Sequence, residues 1–358
     1  MSEKILMKGA EAFAEAAIKA GCRLFFGYPI TPQNEAPGYM AKRMPEVGGV
    51  FLQAESEVAA INMLYGAAST GSRVITSSSS PGISLMQEGL SYIAGAQLPV
   101  VVVNVMRGGP GLGGIGPSQG DYFQATKGGG HGDYRVITFA PLSLQEQIDL
   151  IFDAFELAEK YRNPVIILSD GLLGQIMEAV EFKREMNPKD IPPKEWAATG
   201  RKNRGKVLIN SFNLDPDGLE KDNSVLRKKY EEIKKNEVRV ENFLTDDASV
   251  IIVAYGTVAR ICKTAVQMMR EEGFKVGLFR PITLWPFPEK ELSNLSKREN
   301  VKFFYDFELS FGQMLEDVRL SVADRKPVYF YGRTGGNVPS PTEIIDKIKE
   351  TITEETNA

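Results

Sequence analysis

The run Pro99-Val100-Val101-Val102-Val103-Asn104-Val105 is apolar almost throughout. A strand with one wet face alternates apolar and polar residues, so a strand apolar on both faces is covered on both, as a central parallel strand is. Parallel neighbours require crossover connections, and the surrounding sequence supplies them. Short apolar runs at 23–27, 46–53, 73–77 and 164–169 alternate with helical patterns over 8–20, 56–68 and 142–161. The first of these helices is rich in alanine and stops at Gly21, a C-cap residue. The alternation predicts an α/β fold, a parallel sheet with helices on both faces.

A chain of 358 residues exceeds the size at which one core stops growing, at roughly 150 residues per unit. Composition shifts after about residue 182. Residues 183–245 are rich in Lys, Glu, Asp, Asn and Pro, with Pro192-Pro193 and the charged run Arg227-Lys228-Lys229-Tyr230-Glu231-Glu232-Ile233-Lys234-Lys235, and read as a connecting segment with one exposed helix. A second α/β unit opens at Ala248-Ser249-Val250-Ile251-Ile252-Val253 and continues through a helix over 258–273, strands over 275–279 and 301–305, and a helix over 341–351. The expected division is 1–182, 183–245 and 246–358.

A net charge of −4, from 42 basic and 46 acidic side chains, gives no electrostatic case for nucleic acid or an acidic membrane surface. No stretch approaches the ~20 apolar residues of a spanning helix, and Met1-Ser2-Glu3-Lys4-Ile5-Leu6-Met7-Lys8 lacks the apolar core of a leader. The expected location is the cytoplasm. The two cysteines, Cys22 and Cys262, are too few for an iron–sulfur cluster, and with the single histidine they fall short of a structural zinc set. They are expected to be buried free thiols.

Four segments follow the predicted strands of the first unit: Tyr28-Pro29-Ile30-Thr31-Pro32, Glu55-Ser56-Glu57, Ser77-Ser78-Ser79-Ser80-Pro81-Gly82 and Arg107-Gly108-Gly109-Pro110. Parallel sheets bind ligands beyond the carboxyl ends of their strands, so these loops should converge on one crevice. Gly111-Leu112-Gly113-Gly114-Ile115-Gly116 matches GxGxxG, but Pro117-Ser118-Gln119-Gly120 follows where a dinucleotide site opens a helix. A mobile glycine-rich lid or a substrate-facing loop is the better reading, with a plain flexible loop as the alternative. His131 has no visible acid or serine partner, and no GxSxG elbow is present.

The pentapeptide at 28–32, with Glu57 and Arg107 at their spacings, resembles the α subunit of 2-oxoacid:ferredoxin oxidoreductases, which use thiamine diphosphate. Pro281-Ile282-Thr283-Leu284-Trp285-Pro286-Phe287-Pro288 resembles the signature of the same family's second domain. The resemblance implies a pyrimidine-binding domain followed by a transketolase-C-like domain, and is strongest to the branched-chain (2-oxoisovalerate) type, with the 2-oxoglutarate type next.

The resemblance also assigns roles. Glu57 matches the glutamate that hydrogen-bonds the aminopyrimidine and helps remove the C2 proton; a dry pocket would favour its protonated form. Arg107 matches the arginine that grips the substrate carboxylate, which a guanidinium holds bidentately and an ammonium does not. Thr31 matches the hydroxyl that contacts substrate, held rigidly between Pro29 and Pro32. Tyr28, Pro29, Ser79 and Ser80 are candidate cofactor contacts, although helix capping alone explains one serine. Glu55 reads as an ordinary acid near a helix start.

Thiamine enzymes bind the cofactor diphosphate through Mg²⁺ with a Gly-Asp-Gly motif. Here Gly120-Asp121-Tyr122, Gly132-Asp133-Tyr134 and Ser169-Asp170-Gly171 each depart from it. The chain is therefore expected to hold half a site. The resemblance implies a partner β subunit carrying the diphosphate site, Mg²⁺ and 4Fe–4S clusters, further γ and ferredoxin-like subunits, external ferredoxin as electron acceptor and coenzyme A as co-substrate. Two other readings remain open on sequence: a stand-alone nucleotide-binding regulatory module, and a dehydrogenase- or transketolase-type half.

Overall fold

A computed structural model describes residues 4–357; Met1, Ser2 and Glu3 of the N-terminal stretch read for a leader, and Ala358, lie outside the described residues. The first half runs β1 (Ile5–Lys8), α1 (Gly9–Lys19), β2 (Leu24–Gly27), α2 (Glu35–Glu46), β3 (Val50–Gln53), α3 (Glu57–Ser69), β4 (Val74–Ser78) and α4 (Ser80–Gly95). It continues with β5 (Val101–Met106), α5 (Tyr122–Thr126), β6 (Ile137–Phe139), α6 (Leu144–Tyr161), β7 (Val165–Asp170), α7 (Gly171–Gln175) and β8 (Met177–Val180). The second half runs α8 (Pro216–Asn236), β9 (Val240–Phe243), β10 (Val250–Val253), α9 (Gly256–Glu271), β11 (Val276–Pro281), β12 (Thr283–Trp285), α10 (Glu289–Ser296), β13 (Phe303–Glu308), α11 (Gln313–Val322), β14 (Val328–Gly332) and α12 (Pro341–Asn357).

A seven-stranded sheet has the order β12-β6-β7-β5-β4-β2-β3, parallel except for β12. The apolar run becomes β5, buried at every position between β4 and β7. Alternate residues feed the two faces. Val101, Val103 and Val105 pack with Phe13, Met40, Ile151 and Phe155 under α1, α2 and α6, while Val100 and Val102 meet Ile61, Leu64, Ile83 and Leu90 under α3 and α4. The strand expected over 46–53 shortens to β3, because Glu46 still belongs to α2 and Gly48, at φ +67, turns the chain.

The second sheet has the order β14-β13-β10-β11-β9, with β9 antiparallel on β11 and the rest parallel. Helices α9 and α12 cover one face through Val258, Cys262, Val266, Ile344 and Ile348. Its other face, through Ile251, Val253, Phe279, Phe304, Met314 and Val318, merges with the core beneath α3 and α4. In the 183–245 segment, α8 buries only Leu226, Tyr230 and Ile233, spaced as one narrow helical stripe.

The two units are stitched together at several points. β12 lies antiparallel on β6, so a strand from the second half closes the edge of the first sheet. Gln119 is wholly buried between them. Its Nε2 donates to the Tyr255 carbonyl at 2.9 Å, and its Oε1 accepts from Leu309 N at 2.8 Å. Arg280, also buried, donates to Glu146 on α6 at 2.7 Å and to Glu241 on β9 at 2.8 Å. Cys22 and Cys262 are buried and free, and burial pushes the Cys22 thiol up to about 12, so little thiolate exists to react. Among the described residues no helix is long and apolar enough to cross a membrane.

Candidate active site

From β2 the chain passes through α2 to β3 on one side; from β4 it passes through α4 to β5 on the other. The crevice between β2 and β4 is therefore the switch point of the sheet, where open α/β sheets bind ligands. All four sequence segments reach this end.

Arg107 follows β5 directly and is buried. Its backbone N–H donates to Ser80 Oγ at 3.0 Å. Its Nη1 donates to the Thr31 carbonyl and its Nη2 to the Leu112 carbonyl, each at 3.0 Å. Among the described residues no carboxylate pairs with it, and its Nε has no partner. A guanidinium offers five N–H donors, of which two are spent on carbonyls. A buried cation with unspent donors and no acid is built for an anion that arrives from outside.

Glu57 begins α3 because Ser56 caps the helix: Ser56 Oγ accepts from Ala59 N at 3.2 Å. The glutamate is buried, and no side chain or backbone group among the described residues hydrogen-bonds its carboxyl. It lies against Gly82 in the first turn of α4. A Cβ there would fall 2.5 Å from Glu57 Oε1 and 2.1 Å from Ser78 Oγ, so this close approach requires glycine.

Ser79 occupies the N-cap position of α4 yet makes no capping bond, and both Ser78 Oγ and Ser79 Oγ are buried without a partner. A buried orphan hydroxyl costs about 1–3 kcal/mol, and native chains avoid such groups unless a ligand satisfies them. Glu57, Ser78 and Ser79 thus form a cluster of unsatisfied acceptors and donors. That chemistry fits a polar heteroaromatic ring such as an aminopyrimidine.

Residues 15–247 match the family described as pyruvate flavodoxin/ferredoxin oxidoreductase, thiamine diP-binding, and residues 248–344 match pyruvate:ferredoxin oxidoreductase core domain II. The chain belongs to this oxidoreductase family. It is 50% identical over 345 residues to the ketoisovalerate oxidoreductase subunit VorB of Methanothermobacter thermautotrophicus, covering 96% of this chain and 97% of that one. To the 2-oxoglutarate synthase subunit KorA of the same organism it is 34% identical over 374 residues, 97% of this chain and 99% of the other. The solved 2-oxoglutarate:ferredoxin oxidoreductase from Magnetococcus marinus, with 2-oxoglutarate, coenzyme A and succinyl-CoA bound, superposes with a TM-score of 0.85 at 29% identity. The match covers 98% of this chain and 65% of that one.

The other residues singled out in this pyruvate:ferredoxin oxidoreductase-type chain take varied positions. Thr31 is half-buried, and its Oγ1 accepts from Asn34 Nδ2 at 3.2 Å, leaving the hydroxyl proton free to donate. Tyr28 is half-buried and Pro29 exposed in the same turn. Ser80 Oγ is occupied with the Arg107 backbone, so in the structure it positions the arginine. Glu55 is exposed and accepts from Ser56 Oγ at 2.7 Å. His131 is exposed, edge-on to Tyr92 at 6.4 Å.

Three site residues carried little signal in the sequence. Gln33 accepts from Ser77 Oγ at 2.6 Å, fastening the 28–32 turn to β4. Asp121 accepts from Asn104 Nδ2 at 2.8 Å; burial raises its carboxyl above the usual range, and hydrogen bonds from Ser80 and Asn104 oppose that rise. Asn104 was the one clue, a lone amide in an apolar strand that burial obliges to find a partner. Asp170 caps α7 by accepting from Leu172 N and Leu173 N, and burial raises it too.

The glycine-rich loop opens no helix; α5 starts only at Tyr122. It is pinned as a hairpin, with Gly108 N donating to Gly116 O at 2.9 Å and Gly114 N to Gly108 O at 2.8 Å.

Proposed function

We propose that this chain is the α-type subunit of a coenzyme A-acylating, ferredoxin-dependent 2-oxoacid oxidoreductase whose substrate is 3-methyl-2-oxobutanoate. The observation that carries the reading is Arg107, buried, acid-free and holding unspent donors, bonded through its backbone N–H to Ser80 in the same first turn of α4 that Glu57 meets at Gly82. Substrate choice follows relatedness, since identity to the ketoisovalerate subunit, 50%, exceeds the 34% to the 2-oxoglutarate subunit. The reaction consumes the 2-oxoacid, coenzyme A and two oxidised ferredoxins; it yields the acyl-CoA, CO₂, two reduced ferredoxins and a proton.

Thiamine diphosphate, when bound, supplies the nucleophilic carbon and the electron sink for loss of CO₂. The Glu57 carboxyl holds and shares a proton at the aminopyrimidine edge, the task for which a buried glutamate without a protein partner is suited. Ser78 and Ser79 line the same cradle. Arg107 fixes the substrate carboxylate through its free Nε and remaining Nη protons, which sets the keto carbon in a repeatable place. The Thr31 hydroxyl donates to the bound acid.

What the chain lacks defines its partners. It has no Gly-Asp-Gly, and its two cysteines are buried in separate units. A β-type subunit would bring the diphosphate site with Mg²⁺ and the 4Fe–4S clusters. Electrons would leave through ferredoxin-like and γ subunits to external ferredoxin.

The test is the assembled complex, assayed with 3-methyl-2-oxobutanoate, 2-oxoglutarate and pyruvate in the presence of coenzyme A and ferredoxin. The highest kcat/KM is expected for the branched-chain acid. A preference for 2-oxoglutarate would replace this reading with that of a 2-oxoglutarate:ferredoxin oxidoreductase α subunit.

A further inference from the structure

Residues 108–116 contain no side chains larger than hydrogen except those of Pro110, Leu112 and Ile115. The loop is nevertheless held in one shape. Besides its two internal backbone bonds, Arg107 and Pro117 bridge across its base. Gly113, at φ +59, would place a Cβ 1.8 Å from the Gly108 carbonyl oxygen, so the crossing closes only over glycine. From the second unit Gly336 presses on Gly116, where a Cβ would fall 2.8 Å from Gly336 Cα.

This rigid loop borders both substrate residues. The Leu112 carbonyl accepts from Arg107 Nη2, and the Thr31 carbonyl accepts from Nη1, so the two carbonyls bracket the guanidinium. The Ile115 carbonyl and the Pro32 ring both approach Gly171, lying 3.3 and 3.2 Å from where its Cβ would be. The backbone of Ile115 and the end of the 28–32 turn thus both meet Gly171 where it carries no side chain. Yet Leu112 and Ile115 leave their own side chains 83% and 65% exposed. Single exposed aliphatics are ordinary, but two on a pinned loop at the rim of a site are matched to an apolar ligand group.

We infer that Leu112 and Ile115 form the apolar wall that receives the aliphatic side chain of the 2-oxoacid, making them specificity-determining residues. The inference rests on the substrate reading above and deepens it. In a branched 2-oxoacid the branch begins next to the keto carbon, so its methyl groups lie a few bonds from the carboxylate that Arg107 grips. The loop offers them two aliphatic side chains. It offers no side-chain donor to a second carboxylate, which 2-oxoglutarate would present.

The experiment uses the complete complex carrying Leu112→Ala or Ile115→Ala, with Leu320→Ala, an exposed aliphatic on α11, as the matched control. The unmodified complex ranks 3-methyl-2-oxobutanoate, pyruvate and 2-oxoglutarate first. A preference for 2-oxoglutarate at that stage overturns the substrate reading itself. Given a branched-chain preference, each loop variant should lose about 10- to 100-fold in kcat/KM for the branched acid and less than about 3-fold for pyruvate, while the control keeps its ratio. Equal losses on both acids, an unchanged ratio, or failure of the loop variants to co-purify with their partners would overturn the loop assignment, the last by showing these side chains to be a subunit contact.

Discussion

Glu57 and Arg107 are each buried, and each lacks the partner that burial ordinarily demands. For the arginine the sequence left two readings, a surface loop side chain or the substrate arginine of the family it resembles, and burial directly after the apolar strand β5 removes the first. For the glutamate, Ser56 marked the helix start, and the family resemblance separated Glu57 from its neighbour Glu55. The serine run was less legible, because four adjacent hydroxyls look alike until the backbone shows Ser80 committed to Arg107 and Ser78 and Ser79 left over. Glu57→Gln preserves shape and hydrogen-bonding capacity but cannot exchange the proton. The assembled complex carrying it is expected to lose ~10²- to 10⁴-fold in kcat with its subunit composition intact. Full activity in a properly assembled variant would remove Glu57 from the mechanism.

At the scale of elements, long periodic segments were readable and short ones were not. The helix expected over 56–68 appears as α3, shifted by one residue, because thirteen residues with a capping serine in front leave little choice of phase. β12 has three residues in a proline-rich stretch, too few for any period to show, and its partner β6 lies far upstream. Within β13 sits Asp306, wholly buried, with both carboxylate oxygens unpartnered. Burial, and then the charge of Glu308, raise it well above its ordinary value of 3.8, while Arg319 opposes them.

A carboxyl raised in the folded state stabilises the fold below its ordinary pKa and loses that contribution as pH rises toward the raised one. Asp306→Asn removes the titration. Its melting temperature relative to the parent is expected to be least favourable near pH 4 and to improve steadily toward pH 8. A constant difference across that range, read by scanning calorimetry, would show that Asp306 does not titrate there.

On the function proposed above, the whole molecule would supply half a site, since the chain carries no Gly-Asp-Gly motif for a diphosphate. Isothermal calorimetry of the isolated chain with thiamine diphosphate and Mg²⁺ should therefore give no binding at concentrations that saturate the assembled complex. Tight binding by the chain alone would show that it carries the diphosphate site after all. The missing Gly-Asp-Gly was legible in the sequence, whereas the intimacy of the two units was not. Contacts such as Gln119 with Tyr255 and Leu309 join residues more than a hundred positions apart, beyond the reach of any local pattern.

The laying of β12 on β6 bears on how this chain could be divided or recombined. A polypeptide severed near residue 247, where one family segment ends, would leave the front fragment with a raw β-edge and the rear fragment holding the strand that covers it. Such fragments should recognise and complement each other when mixed. A chimera exchanging only one of them between relatives would have to re-match that ladder, and with it the buried Arg280 clasp, before any catalytic property could be compared.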